Sequence, residues 1–157
     1  MRKKLLAVVG VACALGLVAG TFVANAGADI AAPETITVLG TVTKDRYVDV
    51  GKKGPTPGDT FMFVEQLTDE SDDSVVGKSN ISCTMHIGSW AICTGTFTIN
   101  GRGEIVGQGL VPFGQDDVAS FDVPVTGGTG EFDNVRGEVH VEGISETEER
   151  HTLSLIP

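Results

Sequence analysis

Basic residues are scarce in this sequence, and their shortage excludes several kinds of partner. The 157 residues include 11 Lys and Arg against 21 Asp and Glu, which gives a formal net charge of −10. An acidic surface repels phosphate backbones and anionic membrane surfaces, so we expect no nucleic-acid partner. Solubility is a sufficient reason for such a composition, and the charge alone points to no particular ligand.

The first residues have the order of a secretory signal. A basic start at residues 2–4 precedes an apolar or small-residue run over residues 5–23, and residues 24–26 supply a small-x-small cleavage site. We predict a signal peptide over residues 1–26, with Ala28 as a second cut site. The mature protein is then secreted, with no stable membrane insertion after cleavage.

Two alternatives to cleavage follow from the same segment. An uncleaved membrane anchor is one, but Gly10, Gly16 and Gly20 interrupt the apolar run and favour a signal peptide. Lipidation of Cys13 is the other, and residues 10–12 match its requirements poorly. We therefore predict a linker over residues 27–34 and one β-barrel domain over residues 35–157.

Cysteine is also rare, and this limits the roles that cysteine side chains can have in the protein. Of the three cysteines, Cys13 leaves with the signal, so the mature chain keeps Cys83 and Cys93. An even pair in an exported protein predicts a disulfide. A zinc site is the first alternative, but no His or second Cys pair stands at metal-ligand spacing. A reactive nucleophile is the second, and an oxidising compartment disfavours the free thiol that it needs.

Helical periodicity is absent outside the signal, and short alternating or β-branched runs replace it. Turn residues separate these runs, among them Pro55, Pro57 and Gly58 and the Asn100-Gly101 pair. Even spacing with hairpin connections is typical of an up-and-down barrel or a sandwich. We predict an all-β, single eight-stranded antiparallel barrel with strands at about residues 35–50, 60–68, 78–87, 90–99, 104–113, 118–125, 135–144 and 150–156.

The two cysteines fit this arrangement. If residues 87–89 form the loop of the third-to-fourth hairpin, Cys83 lies directly opposite Cys93, close enough for a bridge. Further along, the sequence Gly127-Gly128-Thr129-Gly130 predicts a tight turn before Phe132. At least one of its glycines should have a positive φ, which only glycine adopts readily.

Strand alternation predicts an interior that is almost wholly apolar. The residues assigned inward are Phe61, Phe63, Glu65, Leu67, Ile81, Cys83, Met85, Ile87, Ala91, Cys93, Gly95, Phe97, Ile99, Val139, Val141, Leu153 and Leu155. Glu65 is the polar exception, and a carboxylate in an apolar lumen suits a general acid or base or a polar anchor. The alternative is that Glu65 is solvated at a barrel mouth, or faces outward after a register slip.

An apolar lumen of this kind predicts a site for a small hydrophobic molecule. The ligand-binding residues that we expect are Phe61, Phe63, Met85, Phe97 and Val111. Small residues leave room between them, at Gly40, Gly95, Gly107 and Gly109.

The histidines offer no recognisable catalytic arrangement. His86 and His140 should face outward, while alternation points His151 inward near one end; we expect all three to be ordinary surface residues. A solvated acidic face should hold Glu138, Glu142, Glu146, Glu148 and Glu149. The acidic loop around Asp69 lacks the spacing of a calcium site, and we predict no metal site.

Three segments resemble the plant allene oxide cyclases and the dirigent proteins. The turn Gly127–Gly130, followed by Phe132 and Gly137, resembles their glycine-rich turn between two barrel strands. Residues 58–63 resemble the cyclase strand that begins Gly-Asp, and residues 103–109 resemble its Gly-x-Ile-x-x-Gln-Gly strand. The resemblance implies an eight-stranded barrel with a lumen, homotrimeric assembly, and no metal or organic cofactor.

The same resemblance implies catalysis by positioning a reactive intermediate. The cyclases steer ring closure of a fatty-acid epoxide, and the dirigent proteins steer coupling of phenoxy radicals. The cyclase glutamate and asparagine on strand one fall near Gly40 and Val42, and a lumen tyrosine falls near Val111. A lumen cysteine corresponds to Cys83 and a lumen asparagine to Glu65. Since this set is largely missing, we do not expect the plant cyclase reaction.

Three function classes follow. The first is a secreted barrel that binds a small hydrophobic molecule and steers cyclisation or coupling of a reactive intermediate. The second is a non-catalytic, lipocalin-like carrier. The third is a structural secreted module whose barrel is filled by its own side chains. The volume of the lumen separates the third class from the other two.

Overall fold

The computed structural model describes residues 32–113 and 120–156. Its eight strands pair only with sequence neighbours, all antiparallel, and β1 pairs with β8 to close the barrel. The fold class predicted from the sequence is therefore confirmed. The strands are β1 Glu34–Val48, β2 Thr60–Asp69, β3 Val75–His86, β4 Trp90–Ile99, β5 Gly103–Pro112, β6 Ser120–Gly128, β7 Arg136–Gly143 and β8 Glu148–Ile156.

Some predicted segments fall outside this description. The signal peptide over residues 1–26, most of the linker over 27–34 and the turn at 114–117 lie beyond the described residues. Within them, the first strand begins at Glu34, so the barrel starts at the end of the predicted linker. Among the described residues no helix is long and apolar enough to cross a bilayer.

The β3–β4 hairpin confirms the predicted disulfide. Residues 87–89 form its loop, Cys83 pairs directly with Cys93, and the two sulfurs are bonded. Gly88 and Ser89 both have positive φ, which lets the loop reverse the chain in three residues. The inward assignment of Ile87 was wrong: the residue belongs to this loop rather than to β3, and it is 81% exposed.

The glycine-rich turn leads from β6 into a single 3₁₀ turn, Gly130–Phe132. Gly130 has φ +67°, as the predicted turn requires, and a Cβ there would lie 2.4 Å from the carbonyl oxygen of Arg102. Gly128 is equally confined, because its Cβ would lie 2.5 Å from the carbonyl oxygens of Glu104 and Phe132. The turn therefore packs backbone on backbone and places Phe132 in the barrel.

We call the end of the barrel with the β2–β3, β4–β5 and β6–β7 connections the closed end. Phe132 is buried there, and Arg102 stacks over its ring at 4.7 Å while pairing with Glu34 and Glu131. The interior at this end is filled by a buried apolar cluster, whose members include Leu67, Ile99, Ile105, Val125, Phe132, Val135, Leu153 and Leu155. The opposite end, with the β1–β2, β3–β4 and β7–β8 connections, is the open end.

Candidate functional site

A cavity of about 190 Å³ occupies the lumen toward the open end. Four of the five residues predicted to bind a ligand line it: Phe61, Phe63, Phe97 and Val111. The fifth, Met85, is buried near the end of β3 but does not line the cavity. The disulfide also lies in the cavity wall, where both Cys83 and Cys93 face the lumen.

Missing side chains explain why the lumen is empty here. Gly95 and Gly107 line the cavity, and each occupies an inward position where a larger residue would project into it. The strands β5 and β6 also pair only between residues 105–107 and 125–128, which is the part nearest the closed end. Space therefore remains toward the open end, bordered mainly by apolar groups.

Glu65 lies entirely inside the barrel, so neither a solvated position nor a register slip applies. Its Oε2 accepts a hydrogen bond from Ser79 Oγ at 2.5 Å and lies 3.0 Å from His151 Nε2. Ser79 and His151 are also fully buried. The other carboxylate oxygen, Oε1, is buried without a hydrogen-bond partner. A buried polar cluster that is only partly satisfied is expensive to keep and marks a candidate functional site.

Gly40 makes the contact between Glu65 and His151 possible. Their strands, β2 and β8, lie on opposite sides of β1, and Gly40 is the residue between them. A Cβ at Gly40 would lie 2.8 Å from the Glu65 carboxylate and 2.8 Å from His151 Nε2. The acid and the base therefore meet in the space that the missing side chain leaves.

His151 connects this buried pair to the cavity. Its ring lines the cavity and packs edge-on against Phe97, with the ring centroids 5.1 Å apart. Nε2 bonds to Glu65, whereas Nδ1 is buried and has no partner. Because a carboxylate that bonds one ring nitrogen fixes the tautomer of the imidazole, Glu65 sets the proton position on His151.

Glu149 brings a second carboxylate to the same place. Its side chain is 30% exposed, lines the cavity, and places Oε2 3.9 Å from His151 Nε2. Burial raises the pKa of Glu149, and the nearby charge of Glu65 raises it further. Glu149 is thus the carboxyl group of the cluster that reaches the cavity and that keeps its proton to higher pH than an ordinary glutamate.

The three side chains form an acid–base array. Glu65, His151 and Glu149 each offer one atom, and these atoms lie within 4.8 Å of one another. Two carboxylates and an imidazole at this spacing could coordinate a cation. In this arrangement, however, Oε2 of Glu65 and Nε2 of His151 are already bonded to each other. We therefore interpret the array as one that holds and moves a proton next to an apolar cavity.

Two sequence-based expectations at this site were wrong. His151 is fully buried rather than a surface residue, and Glu149 lines the cavity rather than belonging to the solvated acidic face. Strand alternation carried the signal, since Glu149, His151 and Leu153 share one face of β8. His86 and His140 do face outward, and His140 pairs there with Asp122.

The rim of the open end is held by a residue that sequence reasoning missed. Asp59 is fully buried and accepts hydrogen bonds from the Tyr47 hydroxyl at 2.6 Å and from the backbone amides of Val50 and Thr56 at 2.7 Å. The bond to Asp59 raises the pKa of Tyr47 to about 12. Asp59 thus fixes the β1–β2 loop beside the cavity, a role that a Gly-Asp pair in a turn could have suggested.

Comparison with known proteins finds solved structures with the same barrel fold. No family model matches the sequence, and no curated protein matches it. A solved structure described as pyocyanin demethylase is 28% identical, with a TM-score of 0.67 over 78% of this chain and 99% of that one. A pterocarpan synthase dirigent protein is 15% identical, with a TM-score of 0.63 over 79% and 87%.

A third solved structure, described as an exo-specific intermolecular Diels-Alderase, is 14% identical, with a TM-score of 0.64 over 80% of this chain and 98% of that one. At these low identities the dirigent protein and the Diels-Alderase establish the fold alone. The chain therefore has the eight-stranded barrel fold of the dirigent-like and cyclase-like proteins.

Proposed function

We propose that this protein is a secreted, cofactor-free enzyme that binds a small hydrophobic molecule in its lumen and rearranges it by proton transfer. The observation that carries the proposal is the Glu65–His151–Glu149 array at the side of an apolar cavity. Glu149 reaches the ligand and is the catalytic residue, while Glu65 positions His151 and shares its proton. Cyclisation of a reactive intermediate that begins with a proton transfer is a reaction of this class.

The geometry supplies two contributions to catalysis. An apolar lumen strips water from the ligand and limits its conformations, which is catalysis by positioning. A carboxyl group whose pKa is raised by burial then suits the donation of a proton at one atom and its removal at another. Both contributions use only side chains of this chain.

The neighbouring structures support this class of function. A demethylase, a dirigent synthase and a Diels-Alderase differ in reaction, yet all three names describe chemistry on small organic molecules. The demethylase, at 28% identity over nearly its whole length, is the neighbour whose chemistry bears most on this chain. Its named substrate, pyocyanin, is the first compound to test.

Two non-catalytic functions compete with the enzyme. A filled structural module is disfavoured by the cavity of about 190 Å³. A carrier needs that cavity but gains nothing from a buried acid–base pair, whose partly unsatisfied atoms cost stability. The array therefore favours the enzyme over the carrier.

Binding is tested with a variant that fills the lumen. A Cβ at Gly95 would make ordinary contacts of 3.5–3.6 Å with Ile81 and Phe97, so Gly95→Leu adds bulk to the cavity without moving the backbone. Thr96→Leu, on the other face of β4, is its control. Native mass spectrometry of the purified protein should show a copurifying molecule in the wild type and the control but not in Gly95→Leu.

Catalysis is tested in deuterated water with pyocyanin and with culture extracts of the producing cells. The wild type should generate isomerised or deuterium-labelled products, as detected by mass spectrometry. Glu149→Gln and Glu65→Gln should reduce turnover at least tenfold while ligand still binds, and Glu148→Gln, which is exposed on β8, should not. Binding without turnover in the wild type would assign the carrier function instead.

Export and assembly stay predictions. Cleavage after residue 26 or 28 would give an N-terminus at Gly27 or Asp29, which sequencing of secreted protein reads directly. Native mass spectrometry also gives the oligomer mass, for which a trimer is expected from the family resemblance. A retained metal ion in the same spectrum would assign the Glu65–His151–Glu149 array to metal binding.

A further inference from the structure

Aromatic rings form much of the cavity wall. Five phenylalanines from four strands or strand ends line the lumen, and the Phe61 and Phe63 rings are parallel within 3°, with centroids 6.4 Å apart. Phe61 also contacts Phe113, with ring centroids at 5.0 Å. Since the face of an aromatic ring carries partial negative charge, such a wall attracts a positively charged ligand as well as a flat apolar one.

The carboxyl groups described at the cavity are those of glutamates. Glu149 lines it, and Glu65 lies behind His151. Among the described residues that line the cavity, none is Lys or Arg. A bound anion would therefore face carboxyl groups with no counter-charge, which is strongly unfavourable in an apolar site. A bound cation would instead find a carboxylate partner at Glu149.

Size limits the ligand further. An apolar cavity of about 150 Å³ holds a benzene molecule. The lumen, at about 190 Å³ and open at one end, thus encloses one or two fused rings, and the rest of a larger flat ring system would extend through the open end.

The aromatic wall, the acidic lining and the size of the cavity together select a ligand by its charge as well as by its shape. We propose that the ligand of the lumen is an aromatic organic cation, an aromatic amine or N-heterocycle whose ring packs on the phenylalanines and whose positive nitrogen pairs with Glu149. The inference rests on the proposed function, because it names the substrate class of the same cavity. It also predicts that anionic lipids and aromatic acids are rejected.

Three probes of nearly equal shape test this inference: N-methylquinolinium, 1-methylnaphthalene and 1-naphthoate, which are cationic, neutral and anionic. Their dissociation constants are measured calorimetrically with the purified protein at neutral pH. N-methylquinolinium should bind at least tenfold more tightly than 1-methylnaphthalene, and 1-naphthoate should not bind. Glu149→Gln should reduce this preference to the part that the aromatic wall supplies, without weakening the binding of 1-methylnaphthalene, and Glu148→Gln should preserve the full preference.

The outcomes separate this inference from the proposed function. Equal binding of the neutral and cationic probes, or tighter binding of the anion, would overturn the inference and leave the lumen as a binding site. A cation preference of unchanged size in Glu149→Gln would also overturn it, because Glu149 would then not be the partner of the positive nitrogen. Binding that persists in Gly95→Leu, or no binding of any probe, would overturn ligand binding in the lumen itself.

Discussion

The two ends of one barrel differ in what fills them. At the closed end, side chains from the strands and Phe132 from the 3₁₀ turn pack together, and Arg102 covers them. At the open end, glycines take inward positions and a cavity remains beside a buried acid–base array. Apart from the β5–β6 pair, which is incomplete toward the open end, the strands pair in both halves of the wall. Small side chains, together with that one gap in pairing, therefore make the difference.

This contrast shows how one fold separates stability from chemistry. The closed end buries a continuous apolar cluster and supplies the packing that offsets chain entropy. The open end keeps empty space and partly unsatisfied polar atoms, both of which reduce stability. Matched substitutions at the two ends should therefore change the stability of the protein by different amounts.

Breaking the turn at the closed end should have the largest effect. Gly128→Ala places a Cβ 2.5 Å from two carbonyl oxygens, whereas a Cβ at Gly95, in the wall of the cavity, makes only ordinary contacts of 3.5–3.6 Å. We expect Gly128→Ala to lower the free energy of unfolding by about 3 kcal/mol and Gly95→Ala to change it little. Denaturant unfolding of both variants measures the difference, and equal stability would show that the turn is not tightly packed.

A pair of valines compares the two ends directly. Val125 packs in the filled cluster and Val111 lines the cavity, and each is 4% exposed. Val125→Ala should lower the free energy of unfolding by about 2 kcal/mol, and Val111→Ala by roughly half as much, because part of its surface already faces empty space. If the two losses are equal, the lumen is effectively filled and the contrast between the ends fails.

The smallest expected effect concerns the charge of Glu149. The pKa of Glu149 is raised in the folded state. In the pH range just above the ordinary glutamate pKa, the folded protein therefore still holds a proton on Glu149 that the unfolded chain has already released. Stability therefore falls as pH rises through that window. Glu149→Gln should remove this part of the fall and raise the melting temperature at pH 7 by about 2 °C.

Melting curves between pH 4.5 and 7.5 measure this effect, with Glu148→Gln as the control. Glu148 lies next in sequence but is exposed, so its substitution should leave the pH dependence unchanged. A parallel shift of both variants would point to the net charge of the protein rather than to the environment of Glu149.

Much of the fold could be predicted because its information is local. Alternation and turn residues gave the strands, and the three-residue loop before Trp90 put Cys83 opposite Cys93. Alternation also placed Glu65 inside, since β2 is regular there. Ile87 escaped the pattern because a loop residue continues the alternation in sequence without continuing the strand.

The site was harder to predict because its members are distant in sequence. Glu65 and His151 are 86 residues apart, and their contact depends on the register of β1 with both neighbours. Nothing in the sequence near Gly40 indicates that the side chains of Glu65 and His151 occupy the space beside this glycine. The empty lumen also depends on all eight strands together, since its volume is set by the sizes of the inward side chains that different strands bring to the same level of the barrel.

Gly40 lies on β1 where this strand pairs with β8 to close the barrel, and its position has a consequence for the order of folding. β1 and β8 join residues from opposite ends of the domain, such as Val38 with His151, so their pairing is the most non-local in the fold and the slowest kind to form. A chain that has paired only β2 through β5 would have the Ser79–Glu65 hydrogen bond but not His151. The acid–base array thus forms only when β1 pairs with β8. Any activity that depends on the array would therefore require the completed barrel.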